Sequence, residues 1–79
     1  MITDYIREAM KLAQYEKLED GSYYGEIPGF QGVYANEGTL ETCREELMST
    51  LEDWILFSIS KHFDLPVISG IKLEVKLLD

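Results

Sequence analysis

Two hydrophobic periods alternate along this chain, and each change of period marks a boundary between elements. From Ile2 to Gln14 the apolar residues recur at three- and four-residue spacing. At about 100° per residue, Ile2, Tyr5, Ile6, Ala9 and Ala13 share one stripe, with Asp4, Arg7, Glu8 and Lys11 opposite. That pattern predicts an amphipathic helix lying on a core, capped at its start by Thr3 or Asp4. The segments 15–19 and 22–27 predict two strands joined at Asp20-Gly21, a pair suited to the positive φ angles of a tight hairpin. Pro28-Gly29 suits a type II turn, with proline fixing φ and glycine taking the positive φ after it. A third strand is expected from Gly32 to Asn36, ended by a turn at Asn36-Glu37-Gly38.

Thr39 then stands as the N-cap of a long helix over Leu40 to His62, with Glu41 favourable in its first turn. Leu40, Cys43, Leu47, Leu51 and Trp54 fall within about 80° of one another and predict its core stripe. Glu41, Glu45 and Glu52 form an acidic ridge on another side. Further along, Leu56, Ile59 and Phe63 fall within about 60° of that same line, so the back of the helix turns from acidic to apolar. A helix apolar on both sides needs a cover on both, supplied by the first helix or by a second copy of the chain. Pro66 is expected to stop the helix, because it disfavours helical φ/ψ at Leu65. Ile71 to Leu77 alternates strictly between apolar and charged residues, which predicts a half-buried edge strand. The expected fold is α+β in the order αβββαβ, a single mostly antiparallel sheet with helices packed on one face.

Composition narrows the function. In 79 residues, 15 acids face 7 bases, for a net charge of −8. Such a chain is one domain, 1–79, burying roughly 60% of its unfolded surface. The charge argues against direct nucleic-acid binding, which needs a basic footprint, and suits a basic partner. Half of it lies between positions 41 and 53, where five acids accompany only Arg44. The single cysteine, Cys43, excludes an intrachain disulfide, and the charged start is unlike a signal peptide. No apolar run approaches the ~20 residues of a membrane span. A cytoplasmic location is expected.

Chemistry is sparse. One His and one Cys, His62 and Cys43, cannot build a zinc site, and no cofactor is expected. Glu41 and Glu45, four apart on a helix, read as a solvated face rather than a paired-carboxylate site. Gly25, Gly29, Gly32 and Gly38 are spaced as turn and strand glycines without the GxGxxG pattern. An enzyme is not expected.

The most specific stretch runs from Tyr23 to Glu41. Ile27-Pro28, Phe30, Gly32-Val33, Gly38 and Thr39-Leu40-Glu41 follow in order and spacing the pattern I-P-x-(L/F)-x-G-V, an aromatic, G-x-T-(L/P)-E and a long helix. This resembles the signature of HicB-like antitoxins, over about residues 15–60. The family usually has Glu at position 42 and Ala at position 43; Thr42 removes the reciprocal capping-box bond. The resemblance implies a partial ribonuclease-H-like fold and an inhibitor that occludes a small basic mRNA-cleaving toxin of the HicA type. Many relatives carry a DNA-binding segment after this domain. This sequence stops at Asp79, so no C-terminal DNA-binding domain is expected, and no operator binding by this chain alone. The partner-facing residues are expected to be Glu26, Phe30 on an exposed loop, Glu41, Glu45 and Glu52. Leu56, Ile59 and Phe63 are expected at a homo-oligomer interface. The alternative reading is an orphan homo-oligomeric interaction module.

Overall fold

The structure is a computed structural model that describes residues 2–63, 65–68 and 70. Its elements are α1 (Ile2–Lys11), β1 (Gln14–Lys17), β2 (Tyr23–Glu26), β3 (Tyr34–Glu37) and α2 (Leu40–Ser60). The strands form one antiparallel sheet in the order β1-β2-β3. The fold is α+β, as expected. The alternating segment Ile71–Leu77 lies outside the described residues.

The core forms where α2 crosses the sheet. Cys43, Leu47, Leu51 and Ile55 recur every four residues and are fully buried, with Ser58 continuing the line. The small residues Gly25 and Ala35 sit opposite each other on β2 and β3, beneath the helix. A Cβ on Gly25 would lie 3.2 Å from Cys43 Sγ and 2.9 Å from the Tyr15 ring. Glycine there is therefore a condition of close helix–sheet approach. The Cys43 thiol donates to the Ala35 carbonyl at 3.6 Å, and burial pushes its pKa up, so it is a packing group. Leu40 departs from the expected stripe. It is 47% exposed because its angle is right but it opens the helix, beyond the residues that the sheet covers.

α1 packs on α2 through the stripe that its periodicity predicts: Tyr5 and Ala9 are fully buried, and Ile6 and Ala13 partly so. It ends at Lys11, three residues short of expectation, because Gln14 already pairs with Glu26 in the sheet. It also begins before Thr3 and Asp4, so neither caps it. Asp4 instead pairs with Arg7 at 3.1 Å within the first turns.

The first hairpin differs in its turn. Leu18 N–H donates to Ser22 O at 2.8 Å and Gly21 N–H to Leu18 O at 3.0 Å, closing a three-residue loop with Gly21 alone at positive φ, +88°. This is a turn followed by a left-handed glycine rather than a two-residue turn. The Asp20 carboxylate accepts from both Ser22 N–H and Ser22 Oγ, which lowers its pKa.

The helix ends also have identifiable causes. Thr39 Oγ1 accepts from Thr42 N–H at 3.1 Å, as an N-cap should. Thr42 does not leave this end bare. Its hydroxyl donates to Thr39 O at 3.1 Å and lies 2.6 Å from Thr39 Oγ1. At the other end the helix stops well before Pro66. His62 adopts φ +59°, its N–H donates to Ile59 O at 3.1 Å, and Phe63 N–H donates to Ser58 O at 2.8 Å. Those bonds make a Schellman ending, with histidine in the place glycine usually takes.

Candidate functional site

The signature segment folds as two consecutive turns with an anchor between them. Phe30 N–H donates to Ile27 O at 3.1 Å, with Gly29 at φ +91°. Val33 N–H then donates to Phe30 O at 3.3 Å, with Gly32 at φ +88°. Each glycine takes the third position of its turn, where positive φ is needed. Gly32 is thus a turn residue and not the start of β3, which begins at Tyr34.

The turns point Phe30 inward. It is only 4% exposed, with its ring edge-on to Tyr5 at 6.2 Å and to Trp54 at 5.1 Å. The expected partner contact is instead a core anchor that ties the loop to both helices. Tyr5 continues the chain of contacts by donating its hydroxyl to Pro66 O at 2.5 Å.

The remaining expected partner residues are exposed but are not brought together. Glu41, Glu45 and Glu52 lie along one side of α2. Glu26 lies on the face of the sheet that α2 does not touch, because its neighbour Gly25 faces Cys43. Sheet and helix stand between them, so a single flat contact cannot cover both. The ridge is also mixed at one end. Glu52 lines a groove between α1 and α2 together with Arg7, Lys11 and Arg44, floored by Ile6, Met10 and Met48.

The outer face of the sheet holds residues that sequence reasoning missed. The register aligns Gln14, Glu26 and Tyr34 in one row and Glu16, Tyr24 and Asn36 in the next. Tyr24 and Tyr34 stack across the diagonal at 6.2 Å with an interplanar angle of 25°, and Tyr34 is 58% exposed. Tyr24 donates its hydroxyl to Glu26 Oε1 at 3.0 Å, and this bond raises the tyrosine pKa. The alternation Tyr24-Gly25-Glu26 was the available signal; the pairing with Tyr34 needed the register.

The C-terminal end of α2 presents another surface. Leu56, Phe57, Phe63 and Val67 are each more than half exposed, and Phe57 and Phe63 meet edge-to-face at 6.1 Å. Ile59, expected among them, packs partly against the core instead. α1 does not cover this patch. Among the described residues there is no group of three or more His, Cys, Asp or Glu side chains that could hold a metal ion. Among them, too, no helix is long and apolar enough to cross a membrane.

Comparison with known proteins assigns the family. A family model described as UPF0150-like matches residues 4–66, which contain the whole signature, all of α2 and all but the first two residues of α1. The chain belongs to the UPF0150-like family. Among solved structures it is similar to TTHA0281 from Thermus thermophilus, with 39% sequence identity and a TM-score of 0.89. That match covers 96% of this chain and 95% of the other. Among curated proteins, none matches. The structural similarity extends over nearly the full chain.

Proposed function

We propose that this UPF0150-like protein is a cytoplasmic antitoxin that binds and occludes a small basic, HicA-type mRNA-cleaving toxin. The observation that carries the reading is the family match over residues 4–66, together with the HicB-like signature inside it. Physical chemistry supports the partner's sign. A chain of net charge −8 attracts a basic protein and repels nucleic acid. The exposed carboxylates Glu41, Glu45, Glu52 and Glu26 supply that attraction. Their role is inhibition by contact, with no chemistry performed on the toxin and no cofactor required. Co-expression with a small basic HicA-type protein, sought first in the adjacent reading frame, tests the reading. A stable complex and rescue of growth are expected; no complex and no rescue would sink it.

The patch of Leu56, Phe57, Phe63 and Val67 favours a second reading, a homo-oligomeric interaction module. Clustered exposed apolar side chains, such as Phe57 and Phe63 in edge-to-face contact, mark interaction surfaces. Leu56 and Phe57 also lie in the last turns of α2, from Trp54 to Ser60, which carry no acid, so two copies of net charge −8 repel less there than along the acidic ridge. Sedimentation over a range of concentrations checks this. A monomer throughout, unchanged by Phe63→Ser, removes the oligomer.

A further inference from the structure

We infer that the outer face of the sheet, which no described helix covers, is a docking surface for a basic protein, read through an arginine that stacks on Tyr34 beside Tyr24 and pairs with Glu26. This inference rests on the basic-partner reading above and deepens it by naming the surface and the residue type it selects.

Three observations support it. First, α2 covers only the inner face, and no described helix touches the outer one. Second, the described residues of this face include two carboxylates, Glu16 and Glu26, and no base. Lys17 belongs to the other side, where its Nζ lies 5.9 Å from the Tyr23 ring centroid. Third, the aromatic pair is preset. Tyr24 is held by the stack with Tyr34 and by its bond to Glu26, which also orients that carboxylate.

A planar guanidinium can stack on a tyrosine face while its N–H groups donate to an adjacent carboxylate. A lysine ammonium is a hydrated point charge and cannot do both in that geometry. Rigid strands hold the groups without the side-chain ordering that a ridge of long glutamates would require. The α2 ridge then acts at longer range, drawing a basic partner in, while Glu52 shares its groove with Arg7, Lys11 and Arg44.

The test uses the intact chain and two probes, an octa-arginine and an octa-lysine peptide, with binding followed by NMR. The arginine peptide is expected to bind about three- to tenfold more tightly and to shift the ring signals of Tyr24 and Tyr34. Tyr34→Ala, and separately Glu26→Gln, should remove that preference, whereas the triple variant Glu41→Gln, Glu45→Gln, Glu52→Gln should keep it. Both tyrosine and glutamate sites are exposed, so an unchanged melting temperature confirms that the variants remain folded. Equal binding of the two peptides, shifts confined to α2, or no binding would each overturn the inference. Growth rescue by co-expression is read separately. Rescue with peptide shifts confined to α2 keeps the antitoxin reading and rejects this surface; arginine selectivity without rescue does the reverse.

Discussion

The two halves of α2 obey the same helical geometry and present different backs. From Glu41 to Asp53 the buried line is Cys43, Leu47 and Leu51, and the far side is acidic. From Trp54 onward the buried line continues through Ile55 and Ser58, but the far side carries Leu56 and Phe57. The sheet accounts for the line and is indifferent to the back. What distinguishes the halves is therefore not folding within the described residues but what each back can meet. A charged back repels its own copy and attracts a basic protein; an apolar back does neither, and its exposure to water costs free energy.

Trp54 stands where the halves meet, and its ring and that of Phe30 make a T-shaped contact. Phe30→Ala should therefore give the largest loss, about 3–5 kcal/mol of unfolding free energy, by opening a cavity between α1, the loop and α2. A denaturant titration reads it. Unchanged stability would return Phe30 to the surface, where sequence reasoning placed it.

A pair of leucines compares the halves directly. Leu51 is 0% exposed and Leu56 62%. Leu51→Ala should cost about 2–5 kcal/mol, the range for buried leucine truncations. Leu56→Ala should stay within about 0.5 kcal/mol for the isolated chain. If Leu56→Ala instead lowers stability in a concentration-dependent manner, the apolar back is occupied by a second copy.

How far the sequence could be read follows from which features are local. Cys43, Leu47 and Leu51 were legible because a four-residue repeat states direction. Leu40 shows the limit: direction does not say whether anything is there to cover the residue. Gly21 and Gly29 were legible as turn residues because positive φ is a local demand. Phe30 was not, because its burial depends on Gly32 forming a second turn and on α1 and α2 converging over the loop. The outer-face pair was half legible. Period two places Tyr24 with Glu26, but only the strand register brings Tyr34 beside them. The helix end near His62 was legible to within two residues, but its cause was not: Pro66 drew attention, whereas the left-handed His62 makes the stop without a strong sequence cue for that geometry.

The two ends of α2 extend the contrast to smaller energies. At the start, Thr39→Ala removes the acceptor for Thr42 N–H and a partner of the Thr42 hydroxyl. A loss of about 1 kcal/mol is expected by denaturant titration. Its effect should fall on the acidic half, visible as faster amide exchange over the first turns.

The far end should respond in the opposite direction. His62 sits at φ +59°, the one non-glycine residue at positive φ among those described. A side chain with a Cβ is strained there, whereas glycine is not. The bonds from His62 N–H and Phe63 N–H are backbone bonds, so His62→Gly keeps both. The substitution should stabilise the chain by about 0.5–1 kcal/mol, the strain relief being partly offset by glycine's greater freedom when unfolded. Because Phe63 follows directly, the variant should leave Phe57 and Phe63 edge-to-face and the apolar back intact. A gain in stability with unchanged self-association would show that His62 serves only to stop the helix. A loss of stability would mean that the histidine side chain makes a favourable contact outweighing its strained backbone.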